Sequence, residues 1–178
     1  MSLLAERLIA VHDALAAADF PHAIGGAIAL GYCTLEARGT KDLDVNVFVT
    51  PNRVKEVFAA LPSEVEITAL SLEQAERDGQ VRVWWEQTPI DIFFSVLPFH
   101  GEVAKGVRQV PFGERIIPVL GCTALAVFKA MFDRTKHWAD IEAMVEAKTL
   151  NIVDAVAWIR EMSGPDSPEA TRLEQLDA

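Results

Sequence analysis

The sequence predicts an α+β fold, an α/β sandwich-like arrangement in which a mixed β-sheet core follows N-terminal helices and precedes a C-terminal helical annex. Three observations carry that prediction. Residues 42–49 (DLDVNVFV) alternate polar and apolar side chains at the period of two that a strand imposes. Residues 81–86 (VRVWWE) and 90–95 (IDIFFS) are β-branched and aromatic runs, close enough along the chain to pair as a hairpin. From Gly121 onward, apolar residues recur at helical spacing. A length of 178 residues suffices for one hydrophobic core with a small annex. The expected boundaries are 1–120 for the core, 121–163 for the annex and 164–178 for a polar tail.

Taken in order, Leu4, Leu8, Val11 and Leu15 define one face of a helix over Leu3–Asp19, with Glu6, Arg7 and Asp13 between them. Asp19-Phe20-Pro21 closes it. His12 and His22 read as surface or hydrogen-bonded residues and not as ligands. Ala23-Ile24 is a short strand, and Gly25-Gly26 turns into a helix ending near Leu35. Arg38-Gly39-Thr40-Lys41 is a polar approach to the strand at 42–49. Thr50-Pro51-Asn52 opens a helix, with Thr50 or Asn52 as cap, that buries Val54, Val57, Phe58 and Leu61 and stops before Pro62.

Residues 64–70 (EVEITAL) are expected to form a short strand, and residues 71–78 a helix closed by Gly79. The hairpin is expected to turn at Gln87-Thr88-Pro89. Leu97 to Gly106 reads as a loop with His100 exposed. Residues 107–119 form a smaller hairpin turning at Phe112-Gly113-Glu114, with Pro111 and Pro118 placing its strands at an edge. The helix over Ala124–Phe132 is apolar enough to be buried, so Lys129 either snorkels to solvent or faces a charged site. Residues 133–140 read as a charged junction, and Ile141–Lys148 as a helix. Asn151 caps a last helix to Met162, and the tail is frayed or a short surface helix. Cys33 and Cys122 lack a CxxC arrangement and read as buried small hydrophobes in a reducing cytoplasm. No apolar run reaches membrane-spanning length, and the first residues lack a signal-peptide layout.

The chemistry concentrates in the strand at 42–49. Period-two geometry puts Asp42, Asp44 and Asn46 on one face and Leu43, Val45, Val47 and Val49 on the other. Two carboxylates held side by side repel each other, and sharing a hard cation resolves the repulsion. Their oxygens suit Mg²⁺, which takes one or two protein carboxylates and completes its shell from water and substrate phosphates. By itself the spacing is a weak signal, because acidic residues so spaced more often form a solvated strand face or a turn. Gly25-Gly26 at a helix start would offer backbone N–H groups and a favourable dipole to a phosphate, or form a plain turn. Asp91 shares its strand face with Phe93 and Ser95, where a carboxylate either has a partner or a metal or marks a solvent-facing half of the hairpin. If its strand lies beside 42–49, Asp91 supplies a third carboxylate. Arg38 and Lys41 either reach a polyanion bound there or belong to a solvated loop.

A formal net charge of −10 argues against a broad electrostatic grip on nucleic acid, which needs many Lys and Arg to displace counterions. It suits a cationic small molecule or a basic partner protein.

Together, Gly25-Gly26, Asp42-x-Asp44 and Asp91 resemble the nucleotidyltransferase superfamily of the DNA polymerase β type. The gap before the DxD, with Arg38-x-Thr40-x-Asp42-x-Asp44, is similar to a small bacterial branch related to the AbiEii toxins. Lys129, Arg134-x-Lys136 and Asp140-Ile141 resemble the helix pair of that branch. The match spans Ala23 to Val145, with two departures: Gly26 stands where the family also uses Ser, and His137 where the branch usually has Asp.

The resemblance implies a β-sheet core of the nucleotidyltransferase type and transfer of an NMP from an NTP to a hydroxyl, with release of pyrophosphate. Two Mg²⁺ ions, replaceable by Mn²⁺, would be held by Asp42, Asp44 and Asp91. Gly25, Gly26, Arg38, Thr40, Lys129, Arg134 and Lys136 would bind the nucleotide. The acceptor would be a tRNA, a protein or a cationic small molecule, with a cognate toxin or antitoxin as a further partner. The alternative is a catalytically weak or inactive module of this fold that serves as an antitoxin or regulatory partner.

Overall fold

The computed structural model describes residues 2–177. It is a mixed α+β structure of two units, one comprising the chain up to Gly25 together with Gly39–Val119, the other Gly26–Arg38 together with the chain from Leu120 onward.

The first unit is built on a six-stranded sheet. Its elements are α1 (Leu3–Ala17), β1 (His22–Ile24), β2 (Leu43–Val47), α3 (Val54–Ala60), α4 (Ala69–Asp78), β3 (Gln80–Trp85), β4 (Thr88–Phe94), α5 (Phe99–Lys105), β5 (Arg108–Phe112) and β6 (Arg115–Val119). The strand order is β3-β4-β2-β1-β6-β5. β2 runs parallel to β4 and antiparallel to β1, and β1 meets β6 in parallel at Ile24 and Val119. Alternation works as the sequence suggests: Leu43, Val45, Val47, Ile90, Ile92, Phe94, Val81 and Val83 are all buried. Ser2 caps α1, accepting from the Ala5 N–H. Arg7, on the expected polar face, is buried because its guanidinium donates to Thr88 Oγ1 and the Glu86 carboxylate and lies over the Trp85 ring.

Several expectations are corrected here. Residues 64–70 contribute a single bridge, Glu66 to Trp84, and no strand. Thr68 instead caps α4, accepting from the Ser71 N–H at 3.0 Å while Ser71 Oγ accepts from the Thr68 N–H at 2.9 Å. Two satisfied amides at a helix start outweigh a short alternation. The β3–β4 hairpin turns at Glu86-Gln87, with Glu86 at φ 51, so Thr88 and Pro89 belong to β4. The loop expected around His100 contains α5, and His100 is buried. Of the two prolines expected at an edge, Pro111 lies on the outer strand β5, whereas Pro118 lies on β6, between β5 and β1.

The second unit is helical: α2 (Gly26–Thr34), α6 (Cys122–Phe132), α7 (Thr135–Glu146), α8 (Ile152–Ser163) and α9 (Pro168–Glu174). Its grouping takes α2 out of the 1–120 segment and puts it with the C-terminal helices. Cys33 and Cys122 are not separate hydrophobes but a disulfide joining α2 to α6 across 89 residues, a separation at which sequence carries no sign of proximity. The junction expected over 133–140 is mostly helix. Asp133 ends α6 in the left-handed region at φ 45 and accepts from Trp138 Nε1 at 2.7 Å, which lets α7 begin at Thr135. Asn151 caps α8, accepting from the Asp154 N–H at 3.1 Å. The tail forms α9, which buries Ala170 and Leu173. No described helix is long and apolar enough to cross a membrane.

Candidate functional site

Asp42, Asp44 and Asp91 all lie in the first unit. The parallel register of β2 and β4 sets Asp44 opposite Asp91, and the antiparallel register of β4 and β3 sets Asp91 opposite Arg82. Residues paired across neighbouring strands share a face. Asp44, Asp91 and Arg82 therefore form one row across three strands. Asp42 immediately precedes β2, on the same face by the period of two.

Side-chain contacts hold Arg82, Asp91 and Asp42. Arg82 grips Asp91 with two parallel bonds, Nε to Oδ1 at 2.7 Å and Nη2 to Oδ2 at 2.6 Å. The same Nη2 lies 3.9 Å from Asp42 Oδ2. This bidentate contact, ahead of the charges of Asp91, Asp42 and Asp44, pushes the Arg82 pKa above its ordinary value. Thr40 Oγ1 donates to Asp42 Oδ1 at 2.5 Å, and the Asp42 N–H returns a bond to Thr40 Oγ1 at 3.3 Å. Thr40, expected to bind nucleotide, here orients a carboxylate. The Gly25 N–H donates to the Asp44 carbonyl at 2.8 Å, so that amide is committed to β2 and not held ready for a phosphate. Gly26 opens α2 at φ 52, a conformation that favours glycine over the serine used elsewhere in the resembling family.

The donor set suits a hard divalent cation in chemistry and in register: three carboxylates, Asp44 and Asp91 on two adjacent strands and Asp42 just before the first. They are not gathered into a ready cage, since among the described residues no group of three or more His, Cys, Asp or Glu is close enough to hold a metal. Arg82 supplies the balancing charge in this arrangement.

The cations expected around a nucleotide lie in the second unit. Lys129 Nζ donates to Asp140 Oδ2 at 2.7 Å, and both residues are buried. Lys129 thus faces a charge and does not snorkel. Arg38 donates to the other oxygen, Oδ1. One carboxylate between two cations leaves the cluster with one formal positive charge. Arg134 stands at the cap position of α7, its guanidinium 5.7 Å from the Phe132 ring, and Lys136 is exposed on the first turn. His137 follows, half-buried on the same turn. Burial first, then the charges of Lys129, Lys136 and Arg134, pushes its pKa below the ordinary histidine value.

One residue, Arg82, escapes the sequence reading, and so do the partners of Asp140. Arg82 becomes visible only with the hairpin turn at Glu86-Gln87, because a two-residue turn sets it opposite Asp91. Asp140 is recognisable by its spacing to Lys136, but nothing local shows that Lys129 and Arg38 converge on it.

No protein-family model matches the sequence, and no curated protein does. The fold is nevertheless similar to solved structures. One is the antibiotic-resistance factor ANT(2'')-Ia in solution, at TM-score 0.63 and 14% identity, over 98% of this chain and 95% of that one. A crystal structure of ANT(2'')-Ia in complex with adenylyl-2''-tobramycin gives TM-score 0.63 and 13% identity, over 99% and 100%. A lincosamide antibiotic adenylyltransferase in a lincomycin-bound crystal structure gives 0.55 and 12%, over 80% and 96%. The chain therefore has the fold of the nucleotidyltransferases.

Proposed function

We propose that the protein is a Mg²⁺-dependent nucleotidyltransferase that moves an NMP from an NTP to a hydroxyl acceptor. The observation that carries this reading is the register of β2 and β4, which puts Asp91 directly beside Asp44, two residues from Asp42. When bound, Mg²⁺ at this row would lower the proton affinity of the acceptor hydroxyl and stabilise charge on the attacking and leaving oxygens. The acceptor oxygen forms a bond to the α-phosphorus, the bond from that phosphorus to the β-phosphate oxygen breaks, and pyrophosphate leaves. Asp91, the carboxylate farther from β1, would receive the hydroxyl proton once Arg82 no longer holds it. Thr40 holds Asp42 in orientation, and the Gly25 contact ties β1 to the Asp44 backbone. The nucleotide-binding roles of Gly26, Arg38, Lys129, Arg134 and Lys136 belong to the same proposal.

The acceptor we favour is a cationic, hydroxyl-bearing small molecule. The acidic row and the net charge of −10 support it over a tRNA, and neighbours of the same fold act on antibiotics. A protein acceptor in a toxin–antitoxin pair, suggested by the AbiEii-like pattern, is the narrower version. A second reading, an inactive binding module, draws support from the commitment of Asp91 to Arg82.

Incubation with α-phosphate-labelled NTPs, Mg²⁺ and a panel of acceptors separates the two. Labelling by the native chain should fall about a hundredfold or more in Asp44→Asn, a barrier change of about 2.7 kcal/mol. Equal labelling by both chains rejects catalysis at this row.

A further inference from the structure

Arg82 is the one cation that the sheet places inside the carboxylate row among the described residues, and its geometry is that of a competitor. Both nitrogens facing Asp91 are within 2.7 Å of its oxygens, so both carboxylate oxygens already carry a strong donor. A metal ion would have to share or displace that donor. Asp42 Oδ2 lies 3.9 Å from the same guanidinium, near enough for attraction without a hydrogen bond. The Arg82 side chain is about half exposed, at 49%, whereas that of Asp91 is 20% exposed. The arginine can therefore leave towards water while the aspartate stays on its strand. A long, solvated side chain gripping a carboxylate on a rigid strand is an exchangeable counter-charge.

We infer that Arg82 sets the metal affinity of the row by occupying Asp91 until a divalent cation replaces it. The inference rests on the Mg²⁺-dependent reading above. Arg82 touches a ligand and not the metal, so it is a positioning residue. Strand order adds a consequence: β1, which leads into the Gly25-Gly26 turn, lies on one side of β2, and β4 and β3 lie on the other. The guanidinium released by the metal thus stays at the edge strand, on the flank away from that turn. Metal loading would then deliver a free cation to that flank in the same event that commits Asp91.

The test is titration of the full chain with Mn²⁺ alone, followed by electron paramagnetic resonance, without nucleotide. Arg82→Gln should bind Mn²⁺ about three- to tenfold more tightly than the native chain, the upper part of the range for a half-exposed pair made bidentate. Arg82→Lys, which keeps the charge but loses the fork, should fall between them. In the Arg82→Gln background, Asp91→Asn should erase the gain. Equal or weaker binding by Arg82→Gln overturns the inference while leaving the metal site intact. Binding that Asp44→Asn and Asp42→Asn leave unchanged would overturn the metal site itself.

Discussion

Two charged clusters with similar membership behave as opposites. In the first unit, Arg82 meets Asp91 and Asp42 on one sheet face, and the cation is half in water. In the second unit, Lys129 and Arg38 meet Asp140 where Lys129 and Asp140 are each about a tenth exposed. The formal charges are mirror images, two acids on one base against two bases on one acid. What differs is the environment. In water the partners of an ion pair are replaceable, because solvent compensates for separation. In a buried setting, losing either partner strands a charge in low dielectric. The first cluster is therefore suited to exchanging ligands and the second to holding helices in place.

The largest effect should come from breaking the buried cluster. Asp140→Ala removes the common partner of Lys129 and Arg38, and unfolding by denaturant should show a loss of about 3 to 5 kcal/mol. Arg82→Gln, measured in the same way, should cost about 1 kcal/mol or less. If the two variants lose equal stability, the contrast between a locked and an exchangeable cluster is wrong. The same contrast applies to Lys129→Met, the substitution that would test the proposed nucleotide-binding role of Lys129. Leaving Asp140 with Arg38 alone, this variant tests nucleotide binding only if its fold is first shown intact.

The next effect concerns the disulfide between α2 and α6, which belongs to the locked region. It closes a long loop, and Cys33 is fully buried. Cys122→Ser should lower stability by about 2 to 4 kcal/mol. Reductant present throughout unfolding should lower the native midpoint and leave the variant's unchanged. A reductant-insensitive native chain would remove the bond from the account of what fastens α2.

These contrasts explain what the sequence could reveal. Strands with a period-two pattern, such as the one within 42–49, and capped helices, such as the one opened by Asn151, declare themselves because the signal is local. The carboxylates at 42, 44 and 91 are similarly legible, since each stands out against an apolar strand. The partners were not. Arg82 depends on one residue of hairpin register, and a turn assumed at Gln87-Thr88-Pro89 shifts every cross-strand pair. Asp140, Lys129 and Arg38 meet through tertiary packing of segments 102 and 11 residues apart, and Cys33 finds Cys122 in the same way. The region 64–70 misleads for a different reason, since a side-chain cap at Thr68 overrides weak alternation.

The smallest expected effect again divides the two regions, this time by pH. In the first unit, His12 Nδ1 and His22 Nε2 are 2.8 Å apart, and His22 Nδ1 lies 2.7 Å from the Phe20 carbonyl. A carbonyl only accepts, so His22 Nδ1 carries a hydrogen and its Nε2 accepts from His12. Protonating both rings would set two N–H groups against each other. Burial is the leading cause that pushes both pKa values below the ordinary 6.5; Asp13 opposes it at His12, and Arg115 and the histidine pair itself add to it. With folded values below the unfolded one, the unfolded chain binds more protons in that interval. Stability is therefore complete above about pH 6.5 and falls as pH drops from there towards the depressed folded values. His137 in the second unit is depressed as well, by burial and by three cations. Denaturant unfolding at pH 7.5 and 5.5 should show acid destabilisation in the native chain. His22→Gln should reduce that pH dependence more than His137→Gln, because His22 is the more buried ring and is coupled to a second histidine. A larger reduction from His137→Gln would move the main acid-sensitive contact from the sheet unit to the helical one.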